Sequence, residues 1–156
     1  MNILYMLIGI PGSGKSTWIG GNINTNDTVI VSSDDYIEQY AQQHNKTYNQ
    51  VYKEQIKNAV QNINKRLDYA IKNNMNIVWD QTNTSSKTRR EKLSKIPNSY
   101  KKIAVYFETP NNIELNRRLN NRPNKTISST VISHMKNSLQ LPTVEEGFDE
   151  IIIIKQ

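Results

Sequence analysis

The sequence predicts an α/β fold in which a five-stranded, mainly parallel sheet carries helices on both faces. Five short apolar runs alternate with longer polar segments of helical periodicity, and the runs occupy residues 3–8, 28–32, 76–79, 101–107 and 151–154. The first run is apolar at every position rather than at alternate ones, which is typical of a strand buried on both faces of a parallel sheet. Strands that alternate with helices indicate a parallel sheet between two helical layers.

The predicted elements are separated by recognisable boundary residues. Gly9 stops the first strand, and residues 9–16 lead into a predicted helix. Residues 36–43 follow the second strand and are compatible with a helix. Between residues 50 and 72 the apolar positions recur mostly at steps of three and four, which predicts an amphipathic helix with one buried stripe. No long linker or repeat divides the chain, so we expect a single domain over residues 1–156.

Composition excludes several kinds of site and of cellular location. The chain has no cysteine, which excludes disulfides, iron–sulfur clusters and thiolate zinc sites. Its longest apolar run is far shorter than the roughly 20 residues of a membrane span, and no basic segment precedes it, so we expect a soluble cytoplasmic protein with no membrane partner. A net charge of +6 favours a polyanionic partner such as nucleic acid, although charge for solubility explains it equally well.

The functional prediction depends most on residues 9–16. They read Gly-Ile-Pro-Gly-Ser-Gly-Lys-Ser and match the pattern G-x-x-x-x-G-K-[ST] between a predicted strand and a predicted helix. Glycines let backbone amides approach phosphate oxygens, the lysine reaches the β and γ phosphates, and the serine hydroxyl can ligate magnesium. The pattern predicts a P-loop NTPase fold that binds a nucleotide, with the Ser16 hydroxyl on Mg²⁺. The expected nucleotide-binding residues here, which the resemblance described below assigns to ATP, are Gly9, Pro11, Gly12, Ser13, Gly14, Lys15, Ser16 and Thr17.

Two aspartates follow predicted strands at the sheet edge where this loop lies. Ligands in open α/β sheets bind at the carboxyl ends of the strands, so Asp34 is expected to accept a proton from an acceptor hydroxyl. Helix capping is the alternative role for Asp34 and its neighbour Asp35. Asp80 is expected to support magnesium or to position the acceptor, with a capping or turn role as its alternative. A regulatory GTPase is disfavoured, because the N-K-x-D and D-x-x-G motifs are incomplete.

Residues 116–123 carry three arginines. Arg118 and Arg122 are four residues apart and could share one face of a helix. Arginines in such a position can neutralise charge on a transferring phosphoryl group. A solvated basic helix is the simpler explanation of the spacing taken alone.

Taken together, these motifs closely resemble the 5′-hydroxyl polynucleotide kinase family. The resemblance rests on residues 9–18, 33–36 and 80–83 and on the arginine-rich segment that ends at Arg122. Phage members have a similar phosphate loop and an R-D-D-Y-R element, whereas animal members have a D-N-T-N element and a tail similar to residues 142–148. This chain combines features of both groups.

The resemblance implies transfer of the γ-phosphoryl group of ATP to the 5′-hydroxyl of DNA or RNA, a role in nucleic acid repair, and a small lid. It implies that Asp34 is the general base, that Lys15 and Arg122 stabilise the transferring charge, and that Ser16 and Asp80 serve the metal. Arg118 and Arg122 join the ATP-binding set. The expected acceptor-binding residues are Asp34, Asp80, Thr82, Asn83 and Arg89, although an exposed helix face would explain Arg89 just as well.

Two departures from the family pattern leave other functions open. Where phage members carry an arginine for the acceptor phosphate, this chain has Ile37. No D-x-D-G-T phosphatase motif is present, so we expect a stand-alone kinase without 3′-phosphatase activity. The alternatives are a small-molecule kinase for a nucleoside, sugar or antibiotic, and a nucleotide-gated nucleic-acid-binding module.

Overall fold

A computed structural model describes residues 1–156 and contains one five-stranded sheet. In chain order the elements are β1 (Ile3–Ile8), α1 (Lys15–Asn22), β2 (Thr28–Val31), α2 (Ser33–Gln43), α3 (Tyr48–Lys72), β3 (Asn76–Asp80), α4 (Ser86–Leu93), β4 (Lys101–Phe107), α5 (Asn112–Asn120), α6 (Ser129–Ser138), a 3₁₀ turn (Val144–Glu146) and β5 (Glu150–Ile154). The strands lie in the order β2-β3-β1-β4-β5, and every neighbouring pair is parallel. The predicted sheet is therefore confirmed, and it is parallel throughout.

β1 lies at the centre of the sheet and buries both of its faces. Leu4, Met6 and Ile8 belong to the larger core cluster on one face. Leu7 points to the opposite face, where it joins a second cluster that includes Trp18 of α1. This two-sided burial explains why the run is apolar at every position. It also fixes the loop after β1 at the middle of the carboxyl edge.

α3 begins two residues earlier than the periodicity predicts. Thr47 caps its first turn, because the Thr47 hydroxyl accepts from the Gln50 amide while the Gln50 side chain accepts from the Thr47 amide. Its buried stripe is apolar apart from Gln55, and its exposed face carries Tyr52, Val60 and Tyr69 among polar side chains. None of the helices is both long and apolar enough to cross a membrane.

α2 and α3 are consecutive helices that pack on each other through a small apolar cluster of Ile37, Ala41, Val51 and Ala59. Ser32 caps α2 by accepting from the Asp35 amide at 3.2 Å. The capping role thus belongs to Ser32. Asp34 and Asp35 lie in the first turn with their side chains exposed.

Candidate active site

A cleft of about 900 Å³ opens at the carboxyl ends of the strands. Its walls are the loop after β1, the start of α2, the end of β3, the residues after α5 and the last residues of the chain. The cleft brings together predicted residues from four separate segments: Pro11, Gly12, Ser13, Gly14, Lys15, Ser16, Thr17, Asp34, Asp80, Thr82, Arg118 and Arg122. Gly9 lies behind the loop, where its amide donates to the Thr82 carbonyl at 3.0 Å.

The loop between β1 and α1 has the backbone geometry of an anion cradle. Gly12 and Gly14 have φ of +84° and +102°, a region that residues with a Cβ rarely adopt. At Gly12 a Cβ would also come within 3.0 Å of Leu115 Cδ1. α1 starts at Lys15, so the amides of its first turn and the positive end of its dipole face the cleft. Phosphate oxygens match these donors.

The Lys15 ammonium lies against the loop. Its Nζ donates to the carbonyls of Gly9 at 2.8 Å and Ile10 at 3.0 Å. Burial lowers the pKa of Lys15 to about 8, although the nearby Asp80 carboxylate opposes the shift. A bound phosphate would supply the negative charge that this desolvated ammonium lacks.

Asp80 ends β3 in the floor of the cleft. Burial raises its pKa to about 6, against the opposing charge of Lys15. The Asp80 carboxylate and the Ser16 hydroxyl line the same cleft, and both offer the hard oxygen ligands that Mg²⁺ prefers. No group of three or more His, Cys, Asp or Glu side chains converges to form a protein-only metal site. This donor set fits a Mg²⁺ ion that takes its remaining ligands from phosphate and water, as such ions usually do.

Both carboxylate oxygens of Asp34 have hydrogen-bond partners. The Tyr48 hydroxyl donates to Oδ1 at 2.6 Å, and Lys125 Nζ donates to Oδ2 at 2.9 Å. Lys125 also approaches Glu38 at 3.4 Å. Burial alone would raise the pKa of Asp34, but Lys125 and the Tyr48 hydroxyl together lower it below its ordinary value. The side chain of Asp34 is still 52% exposed, so a molecule in the cleft can reach it.

The arginine segment has one arginine on the exposed surface and two at the cleft. Arg117 is 62% exposed and pairs with Glu114 on the surface of α5, as a solvated helix would have it. Arg118 also pairs with Glu114, and its Nη1 donates to the Gly12 carbonyl at 2.9 Å. Arg122 lines the cleft, and its charge contributes to the lowered pKa of Lys15. The segment between α5 and α6, called the lid below, lines the cleft with Arg122, Pro123, Asn124 and Lys125. That it closes over a ligand stays a prediction.

Two expected acceptor residues are not available to a ligand. Arg89 has no exposed surface, and its guanidinium binds the buried Glu146 carboxylate at 2.6 Å. Asn83 is 3% exposed, and its side-chain amide donates to the Leu7 carbonyl at 2.7 Å. The expectation that Arg89 and Asn83 contact the acceptor is corrected accordingly, because both brace the loop after β3. Thr82 lines the cleft as expected.

Three residues at the cleft escaped the sequence patterns. Tyr48 and Lys125 contact Asp34 from 14 and 91 residues away in the chain. Gln156 donates from its side chain to the Ser13 carbonyl at 2.9 Å. No motif spacing links such distant residues, and each belongs to a residue type that is common on surfaces. Tyr48 could have been found only from the packing of α2 on α3, which brings the first turn of α3 next to Asp34.

A family described as an AAA domain matches residues 4–142. The chain belongs to this AAA domain family. The family is P-loop kinase-like, in agreement with the phosphate loop and the parallel sheet.

Solved structures support the same fold for this AAA domain. A candidate kinase from Chloroflexus aurantiacus has a TM-score of 0.73 at 11% identity and covers 99% of this chain and 85% of its own. A chain of the Pnkp1/Rnl/Hen1 RNA repair complex has a TM-score of 0.69 at 26% identity over 95% of this chain. A structure of the PezAT toxin–antitoxin system of Streptococcus pneumoniae has a TM-score of 0.55 at 16% identity, with 100% of this chain covered. This chain spans 46% of the RNA repair chain.

Proposed function

We propose that this protein is an ATP-dependent kinase that transfers the γ-phosphoryl group to the 5′-hydroxyl end of DNA or RNA. One observation carries the proposal: the half-exposed Asp34 carboxylate faces Lys15 and the phosphate loop within one cleft, close enough for each charge to shift the pKa of the other. The likeness to a chain of an RNA repair complex and the net charge of +6 support a nucleic acid acceptor.

The roles follow from the positions of the charged groups. The amides of the loop and of α1 hold the phosphates of ATP, and Lys15 and Arg122 stabilise charge on the transferring group. Asp34 receives the proton of the acceptor hydroxyl and orients its oxygen toward the γ phosphorus. Mg²⁺, when bound through Ser16 and Asp80, neutralises phosphate charge. Thr82 contacts the acceptor, since it lines the cleft whereas Asn83 and Arg89 are buried.

A small hydroxyl compound is a second candidate acceptor. Ile37 is fully buried in the contact between α2 and α3, so this turn of α2 presents no cation to a polymer phosphate. The turn instead presents Asp34, Asp35 and Glu38 to the cleft. Three carboxylates disfavour a polyanion and suit a neutral or cationic acceptor.

The test is transfer of labelled γ-phosphate from ATP, with Mg²⁺, to 5′-hydroxyl DNA and RNA oligonucleotides and to a panel of nucleosides, sugars and aminoglycosides. Asp34→Asn should lower transfer by about 10²-fold or more while ATP binding is retained. Asp68→Asn is the matched control, because Asp68 is exposed on α3 outside the cleft.

Label on an oligonucleotide that disappears in Asp34→Asn supports the proposal and identifies the preferred polymer. Label confined to the small acceptors would replace it with the second candidate. A nucleotide-gated binding module would bind ATP and nucleic acid, label nothing, and be indifferent to Asp34→Asn.

A further inference from the structure

Tyr48 connects three parts of the acceptor side of the cleft. Its hydroxyl is bonded to Asp34 of α2, and its ring lies 4.3 Å below the Lys125 ammonium. Its backbone amide donates to the Asn124 carbonyl of the lid at 3.1 Å. The next residue, Asn49, exchanges two further hydrogen bonds with Thr126. The start of α3 therefore holds both the carboxylate and the lid.

The two partners of Asp34 differ in how firmly they are placed. Tyr48 is the first residue of a capped 25-residue helix, and its ring packs against the apolar cluster between α2 and α3. Lys125 belongs to the lid loop between α5 and α6, and its ammonium divides its contacts between Asp34 and Glu38. Oδ1 is thus held from the first turn of a helix, whereas Oδ2 is held by a lysine that is 8% exposed and has a second carboxylate, Glu38, within 3.4 Å.

We infer that Tyr48 is a positioning residue for Asp34: it fixes Oδ1 so that Oδ2 is the oxygen that takes the acceptor proton once Lys125 releases it. This inference rests on the proposed function. In the step, the acceptor oxygen bonds to the γ phosphorus while its proton passes to Oδ2. The bond from the γ phosphorus to the bridging oxygen breaks, and ADP leaves with that electron pair. Asp34 then returns the proton to solvent.

The charged groups around Asp34 set the direction of a pH test. Lys15 faces it from α1, Asp35 and Glu38 from α2, Asp80 from β3, Tyr48 from α3 and Lys125 from the lid. The Tyr48 hydroxyl stabilises the ionised carboxylate, so its removal raises the pKa of Asp34. Transfer needs the ionised form. Loss of the hydroxyl should therefore move the acid limb of the pH–rate profile to higher pH.

The experiment compares Tyr48→Phe with Tyr52→Phe. Tyr52 lies one turn further along α3 with its ring 5.6 Å from that of Tyr48, is 43% exposed, and does not line the cleft. Transfer from ATP is followed across pH with a 5′-hydroxyl oligonucleotide, the KM for ATP is measured separately, and thermal unfolding reports folding. The pKa of Asp34 is read independently by NMR titration of its carboxyl carbon.

Tyr48→Phe should lower kcat by about 10- to 100-fold and leave the KM for ATP unchanged. It should also move the acid limb of the pH–rate profile to higher pH and raise the pKa of Asp34. Tyr52→Phe should match the wild type in all four measurements. A Tyr48→Phe enzyme with an unmoved acid limb and an unmoved Asp34 pKa would overturn the inference, as would a defect explained wholly by thermal unfolding or by the KM for ATP.

Failure of the proposed function looks different. If the wild type labels only small hydroxyl compounds, the polynucleotide assignment fails, and the same comparison of variants on the labelled compound decides the role of Tyr48. If the wild type labels no acceptor, the base role of Asp34 is lost and the inference falls with it.

Discussion

The ion pair between Arg89 and Glu146 is almost completely buried. Its closest atoms are 2.6 Å apart, and the two side chains are 0% and 1% exposed. The Arg89 guanidinium also donates to the carbonyls of Asn83, Thr84 and Leu141. One side chain thereby joins α4 to the loop after β3 and to the segment before β5.

We predict that Arg89→Met lowers the free energy of unfolding by about 3–5 kcal/mol, because it leaves the buried Glu146 carboxylate without its countercharge. Arg89→Met/Glu146→Leu should recover part of this loss, since no buried charge remains. Recovery should be incomplete, because the carbonyls of Asn83, Thr84 and Leu141 still lack their donor and the Thr143 amide loses the Glu146 carboxylate that accepts from it at 2.8 Å. The free energies of unfolding of the wild type, Arg89→Met and the double variant are measured by urea unfolding followed by circular dichroism.

Arg90→Met is the control. Arg90 is the exposed neighbour on α4, and its guanidinium makes one hydrogen bond, to the Glu145 carbonyl at 3.3 Å. Its loss should change the free energy of unfolding by no more than about 0.5 kcal/mol. An Arg89→Met protein as stable as Arg90→Met, or a double variant no more stable than Arg89→Met, would refute the reasoning.

Two further predictions concern the cleft, and a third concerns the contact between α2 and α3. Burial raises the pKa of Asp80 from 3.8 to about 6, so the wild type loses stability as pH rises through that window. Asp80→Asn should gain relative stability there, by at most about 3 kcal/mol in urea unfolding. Gly12→Ala should weaken ATP binding, as measured by calorimetry. It should also lower the free energy of unfolding by about 1–3 kcal/mol, because Gly12 has a φ of +84°, which strains any residue with a Cβ. Ile37→Arg should lower the urea midpoint sharply by placing a charge at a fully buried position.

The strands and the phosphate loop were predictable because their signals are local. The predicted run 101–107 coincides with β4, and the third strand extends only one residue further, to Asp80. A continuous apolar run records burial on both faces, and the glycine spacing records the backbone angles of the loop. The strand order is not local information, since it depends on which faces of the helices pack.

The acceptor side was less predictable because its determinants are long-range. Arg89 lies on a short polar helix whose sequence gives no sign that this arginine is buried. Its partner in the interior is Glu146, which lies 57 residues later in the chain. Asn83 has φ of +49° and turns its amide toward β1 rather than the cleft. Tyr48 has no motif of its own and reaches Asp34 only because α2 packs on α3. Periodicity indicates a buried stripe on each helix but not which polar groups meet at its edge.

The central place of β1 also has a consequence for biosynthesis. Ile3 at its start bonds Asn76, 73 residues later, and its other neighbour, β4, is made later still. At about 5–20 residues per second, the ribosome adds the intervening residues in roughly 4–15 s. Throughout that interval the most apolar strand of the sheet has both edges unpaired. The strand that carries the phosphate loop therefore stays unpaired long after it is synthesised, and its apolar edges can pair with another chain during that time.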